Sequence, residues 1–250
     1  MRVTAIKTHK ITTNDTDIFL VLDRYVQKLK EYSVVVVTSK IIALCQGRVA
    51  DPKKFDKEKL IIQEADYYLP RTSNRYNVIP TIKNGIIAFS SGVDESNANG
   101  LFVLWPSKPQ QSANKIRAHL QKKFHIQHLG VIITDTTSMP LRRGQMGIMI
   151  GYSGFDALRS YINEKDIFGR KLRMTKASVA DALAIAAVAL MGEGKEQTPL
   201  VIIEDVPFVK FRKRNPTKKE VAELQIALED DLYAPLLKAM KWKKGQNSTA

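Results

Sequence analysis

The chain has 250 residues, with 39 lysines and arginines against 25 aspartates and glutamates, giving a formal charge of +14. Hydrophobic residues make up 44% and charged residues 26%, ordinary values that exclude a disordered chain, a collagen-like repeat and a coiled-coil rod. No apolar run approaches the roughly 18–20 residues of a membrane span, and the single cysteine, Cys45, excludes a disulfide framework and a cysteine-built zinc site.

The opening residues, MRVTAIKTHKITT, lack the apolar stretch of a secretory signal, so a cytoplasmic protein with no membrane partner is expected. Residues Asp15 to Tyr32 carry Ile18, Leu22, Tyr25, Val26 and Leu29 at helical spacing. Ser33-Val-Val-Val-Val-Thr38 is β-branched and continuous, the mark of a buried strand. Short strands are expected at Gly85–Phe89, Gly130–Thr134 and Leu200–Ile203, with a helix capped by Ser112 between the first two. Ala177–Met191 is an alanine-rich helix for which Gly192 supplies a left-handed stop. Thr217-Lys-Lys-Glu220 is a capping box opening a helix with Val221, Leu224 and Leu228 inward. The irregular alternation of strands and helices predicts an α+β or mixed α/β architecture in two lobes. Crossings between the lobes are expected near 70–80 and 170–175. A polar tail is expected at 241–250.

Excess positive charge attracts polyanions, from nucleic acid to nucleotides and carboxylates. The densest run, Lys210-Phe-Arg-Lys-Arg214, is followed by Lys218 and Lys219 and has only Phe208 and Phe211 as stacking residues. Nothing in the chain matches an RNA-recognition, helix-turn-helix or zinc-finger pattern. The expectation is solvated basic faces with a bias for small anions. A basic nucleic-acid-binding protein is the alternative.

Three loops concentrate polar groups where a strand or helix ends. They are Ser90–Asn97, Thr134–Ser138 with Arg142 and Arg143 beyond it, and Met191–Glu196. Magnesium and manganese take oxygen ligands, commonly one or two carboxylates together with substrate phosphates. Asp94, Asp135, Thr136 and Glu193 offer such oxygens, and Arg142 and Arg143 could clamp phosphate or carboxylate. Taken singly, Asp94 and Asp135 also read as Asx turns that end strands. There is no G-x-x-x-x-G-K-[ST] loop and no G-x-G-x-x-G. Gly151-Tyr-Ser153-Gly misses the nucleophile-elbow spacing by one residue. His125 and His128 lack a third ligand. From the residues alone, a metal-dependent, phosphate-handling enzyme emerges.

An ordered series of segments then resembles one family. It begins with Val37-Thr-Ser39-Lys40 and Gly47-Arg48-Val49, followed by Ser91-Gly-Val-Asp94-Glu-Ser-Asn97. Val131–Thr136 with Arg142-Arg143-Gly144 and Gly151–Gly154 come next. Asp166-Ile-Phe-Gly-Arg170, Val179-Ala-Asp181 and Met191-Gly-Glu193-Gly194 complete it. The family is that of the coenzyme F420-0:gamma-glutamyl ligases, and the resemblance covers most of residues 1–205. It implies an α+β, two-lobed subunit in an intertwined homodimer, with a ligase core over 1–205. Residues 206–240 would form a helical extension. It also implies GTP or ATP as co-substrate, Mg2+ or Mn2+, and a potassium ion in some members. Carried over by position, Asp94, Asp135, Thr136 and Glu193 would be metal ligands. Ser39, Lys40, Asn97 and the loop Met191, Gly192, Glu193, Gly194, Lys195 and Glu196 would be nucleotide contacts. The implied reaction joins L-glutamate to a carboxylate of an aromatic acceptor through an acyl phosphate. Thr137–Pro140 and the segment from Glu204 to Trp242 depart from the usual family pattern. They are more similar to a branch linked to folate metabolism, so a folate-type acceptor is placed slightly ahead of F420-0.

Overall fold

A computed structural model describes residues 1–247; the last three positions of the expected polar tail lie outside the described residues. The chain opens with strand β1 (Arg2–Ile6), helix α1 (Ile18–Tyr25), β2 (Ser33–Thr38) and α2 (Ser39–Cys45). Next come β3 (Val49–Ala50), α3 (Lys57–Glu64), β4 (Tyr67–Tyr68), β5 (Pro80–Lys83), β6 (Ile86–Phe89) and β7 (Phe102–Val103). The long helix α4 (Pro109–Phe124) leads to β8 (Leu129–Ser138) and β9 (Gln145–Ser153), then to β10 (Leu158–Ser160) and β11 (Lys176–Ser178). Helix α5 (Val179–Met191), β12 (Leu200–Glu204), α6 (Lys218–Ala222), α7 (Ala234–Ala239) and β13 (Lys243–Lys244) complete the order.

The valine run of β2 explains the larger lobe. Successive side chains of a strand point to opposite faces, so a strand covered on both sides reads as continuously apolar. Val34 and Val36 pack with Leu183, Ala184 and Ala187 of α5, whereas Val35 and Val37 pack with Leu22, Ile42, Ile116 and Leu120 from α1, α2 and α4. The five-stranded sheet has the order β1-β12-β2-β8-β9. Only β2 and β8 run parallel, with Thr38 opposite Thr134. The mixed α/β, two-lobed expectation holds.

The second lobe lies within residues 46–105 and is joined by β13. Its sheet has the order β13-β4-β5-β6, and its core comprises Leu60, Ile61, Ile79, Val93, Phe102 and Leu104. The stretch 70–80 lies inside this lobe, and 170–175 lies in the arm between β10 and β11. The chain passes between the lobes around α2–β3 and β7–α4. Residues 206–240 carry two short helices and are otherwise irregular.

Several local expectations need correction. Helix α1 ends at Tyr25, well before Tyr32. The amide of Gln27 and the ammonium of Lys123 donate to the last carbonyls, those of Asp23, Arg24 and Val26, and so supplant further helical turns. Ser112 does not cap α4. Pro109, with its φ already set, opens that helix, and Lys108 is its cap position. Gly192 ends α5 with the positive φ expected of a glycine stop, +72, but its ψ of 171 lies outside the αL region. Residues up to 247 of the expected tail are docked: Lys243 and Lys244 pair with β4, and the Gly245 N–H donates to the Asp66 carbonyl at 2.8 Å. The capping box at Thr217 and Glu220 is present, on a helix of only 5 residues.

Candidate active site

Three strand ends of the large sheet reach one edge, past which β8 continues to Ser138. β2 finishes there, with Thr38 opposite Thr134 of β8, and the antiparallel partner β12 begins there, with Leu200 opposite Val37 and also opposite Ile6, the end of β1. The loops leaving these ends therefore converge, as open sheets bind ligands outside the carboxyl ends of their strands where the order changes direction. A cavity of about 590 Å³ opens at this edge. Four stretches line it: Thr8–Thr12, Lys40 after β2, Thr134–Thr136 in β8, and Met191–Pro199 between α5 and β12. Asp94, Ser96, Asn97 and Asn99 reach it from the second lobe. A register shift between Ile133 and Thr134 in the β8–β9 pairing lies immediately before Asp135; such bulges re-aim side chains beside active sites.

The residues expected from the sequence mostly meet here. Lys40, Asn97, Asp94, Asp135, Thr136 and the loop Met191–Glu196 all line the cavity. Three do not. Ser39 is buried in the first turn of α2. Arg142 and Arg143 sit on the exposed turn between β8 and β9, outside the lining. Sequence reasoning missed Thr8–Thr12 and Asn99; Ser96 and Thr134 lay in the polar segments it singled out, but Thr134–Ser138, expected as a loop, continues strand β8. The signal for the first of these was topological, because β1 pairs with a strand some two hundred residues away.

Asp94 and Lys40 join the two lobes. Lys40 Nζ lies 2.6 Å from Asp94 Oδ2 and donates to the Ser96 carbonyl at 2.8 Å. The Ser96 N–H and Oγ–H donate to the two Asp94 oxygens at 2.9 and 2.7 Å. Burial alone would raise the Asp94 pKa, but these donors outweigh it and hold the carboxyl below its usual range. Asp135 keeps part of its surface on the cavity, yet protein atoms crowd its carboxylate. That crowding, with the Asp94 charge, pushes its pKa up to about 6 against the hydrogen bonds from Trp105 and the Thr136 backbone. Glu193 is also raised, by burial first and then by repulsion from Asp94 and Glu196. The loop bearing Glu193 is fixed by Asn97, whose amide donates to the Gly194 carbonyl at 2.9 Å, and by Glu196, which accepts from the Gly194 N–H at 2.9 Å.

Among the described residues no group of three His, Cys, Asp or Glu side chains is gathered closely enough to hold an ion. The candidate ligands face one cavity without converging. Their chemistry nevertheless fits a hard divalent cation. Three carboxylates and a hydroxyl supply only oxygen, and burial raises the pKa of two of those carboxylates, Asp135 and Glu193.

The basic run is accounted for differently. Arg212 forms a bidentate pair with Asp156 at 2.6 and 2.7 Å, and Arg214 forms one with Glu220 at 2.7 Å. Arg212 thus stitches the C-terminal extension onto the large lobe, whereas the Arg214 pair lies within the extension.

The sequence model of the family F420-0:Gamma-glutamyl ligase matches residues 5–205. The chain belongs to this family. The coenzyme F420:L-glutamate ligase of Methanocaldococcus jannaschii is 36% identical over 207 residues, covering 80% of this chain and 81% of the relative. That of Methanococcus maripaludis is 34% identical over 223 residues, 88% and 85% of the two chains. The protein of the same name from Methanopyrus kandleri is 30% identical over 209 residues, 76% and 82%. The family match includes every loop that lines the cavity, and it ends just before the extension that carries the basic run. Among the described residues no helix is long and apolar enough to cross a membrane.

Proposed function

We propose that this chain joins L-glutamate through an amide bond to a carboxylate of an F420-0-type acceptor, using a nucleoside triphosphate. The observation that carries the reading is the placement of Asp94, Asp135, Thr136 and Glu193, drawn from one strand and two loops of a ligase-family chain, around one cavity. The relatives' names, coenzyme F420:L-glutamate ligase, support an F420-type acceptor. The folate-type expectation rested largely on the segment after residue 205, which lies outside the family match.

Asp94, Asp135, Thr136 and Glu193 would hold the divalent cation, which when bound neutralises charge developing on phosphate oxygens. Lys40, anchored on Asp94, adds fixed positive charge for an entering polyanion, and Asn97 keeps the Glu193 loop in place. The acceptor carboxylate takes the terminal phosphoryl group and the nucleoside diphosphate departs. The glutamate amino group then attacks the acyl carbon, expelling inorganic phosphate and losing a proton. No side chain is required as a covalent nucleophile; the work is positioning and electrostatics. An acceptor with both carboxylate oxygens labelled with 18O tests this route. One label should appear in the released phosphate, and label-free phosphate refutes the acyl phosphate.

The arm between β10 and β11 supports a homodimer. Ile167 and Phe168 at its tip are 91% and 89% exposed, which is costly for apolar side chains left in water. Light scattering of Ile167→Ser with Phe168→Ser should report the loss of the dimer.

A further inference from the structure

Trp105 lies outside the cavity lining, yet its indole Nε1–H donates to Asp135 Oδ2. The ring is 2% exposed and is held from three directions. Lys83 Nζ stands 5.3 Å from its centroid and pairs at 2.6 Å with Glu64, which accepts two hydrogen bonds from Arg48 at 2.8 Å. Arg48 Nε also donates to the Trp105 carbonyl at 3.2 Å. Gly92 forms the third side, where a Cβ would stand 2.0 Å from Trp105 Nε1. Only a residue without a side chain leaves room for the donor.

Gly92 ends a run of three left-handed residues, with φ 57 at Ser90, 51 at Ser91 and 70 at Gly92. That conformation is unfavourable for serine and persists only where surrounding contacts over-determine it. The contacts are present. The Ser91 N–H donates to Thr81 Oγ1 at 2.9 Å, Ser91 Oγ donates to the Ile61 carbonyl at 2.9 Å, and Lys83 Nζ donates to the Ser91 carbonyl at 3.2 Å. The same lysine thus secures both the strained turn and the indole.

We infer that Trp105 is a positioning residue whose N–H fixes the orientation of the Asp135 carboxylate at the cavity wall. The buried Lys83–Glu64–Arg48 group and the Ser90–Gly92 turn act as its support. The inference rests on the reading of Asp135 as a metal ligand. An indole has one proton and Asp135 has two oxygens, so this hydrogen bond commits one oxygen to the protein. Groups that orient metal ligands in this way typically change metal affinity ten- to hundredfold when removed.

The test uses the full chain and Mn2+ alone as probe, followed by electron paramagnetic resonance. Trp105→Phe keeps the ring and deletes the donor. Its Mn2+ affinity should fall ten- to hundredfold, while its melting temperature stays within a few degrees of the parent's. In a Trp242→Phe background Trp105 is the sole tryptophan, and its 15N-labelled indole N–H resonance should move upfield when Asp135→Asn removes the charged acceptor. An unshifted indole overturns the inference, whatever the stability of Trp105→Phe. Mn2+ affinity within twofold of the parent in Trp105→Phe, with binding lost in Asp135→Asn, overturns the positioning role and leaves the ligand reading standing. Parent-like binding in Asp135→Asn, or no Mn2+ uptake by the parent, refutes the ligand reading and the inference with it.

Discussion

The buried Lys83–Glu64–Arg48 group makes an asymmetric prediction. Lys83 is 4% exposed, and among the described residues Glu64 is its only carboxylate partner at salt-bridge distance. Glu64→Gln therefore leaves a buried ammonium beside the Ser91 carbonyl at 3.2 Å, with Arg48 also stripped of its charged partner. Removing one member of a buried pair costs about 3–5 kcal/mol, or about 6–20 °C in melting temperature for a chain of this size. Lys83→Met is milder. Glu64 keeps both hydrogen bonds from Arg48 at 2.8 Å and the methionine fills the hydrocarbon path, so about 1–2 kcal/mol is expected.

Burial also depresses the Lys83 pKa against the pull of Glu64. Without Glu64 the depression deepens. The unfolded chain then holds the Lys83 proton to higher pH than the folded one, so stability rises with pH between the two pKa values. The deficit of Glu64→Gln should accordingly shrink from about pH 7 to about pH 9. Thermal melts of both variants at the two pH values decide the matter. A Lys83→Met cost equal to or above that of Glu64→Gln, or a Glu64→Gln deficit that grows with pH, refutes the reasoning.

Other expectations are simpler to check. Asp94→Asn and Asp135→Asn should each lower turnover by about a hundredfold or more while circular dichroism stays native; near-parental rates in both would remove them from the site. Burial, with Asp15 and Asp17 nearby, pushes the Cys45 thiol up to about 12. Disulfide reagents at pH 8 should therefore label it at least about a hundredfold more slowly in the native protein than in denaturant. Lys210→Ala with Lys213→Ala should leave kcat unchanged. Arg212→Ala, which strips the bidentate pair from Asp156, should instead cost about 1–2 kcal/mol, read from denaturant melts.

What could be read from the sequence follows the range of the interactions involved. The valine run of β2, the alanine-rich α5 and the Thr217 capping box are local signals; the first two elements form where their residues indicate, whereas the capped helix stops at Ala222, short of Leu224 and Leu228. Asp94 and Glu193 were legible because each lies in a polar loop beyond a strand or helix, and Asp135 because it follows the apolar run Val131–Ile133, although β8 continues through it to Ser138. Trp105 was not: nothing in Phe102-Val-Leu-Trp105 foretells an indole aimed at a carboxylate 30 residues further on. The ion-paired group of Arg48, Glu64 and Lys83 joins three elements through tertiary contacts that no periodicity encodes. Arg142 and Arg143 show the converse, a chemically suggestive pair that the β8–β9 turn carries away from the cavity. The short α1 reflects side-chain donors, Gln27 just beyond it and Lys123 of α4, that compete for its last carbonyls.

The central claim is ligase chemistry on a carboxylate acceptor. The most direct measurement is mass spectrometry of the purified protein incubated with L-glutamate, GTP or ATP, and Mg2+ or Mn2+. F420-0, dihydropteroate, dihydrofolate and tetrahydrofolate would be offered in separate mixtures. A gain of one glutamate residue on F420-0 that depends on nucleotide and disappears in Asp135→Asn is the result expected here. No mass gain on any acceptor, from folded protein that binds nucleotide, would contradict it.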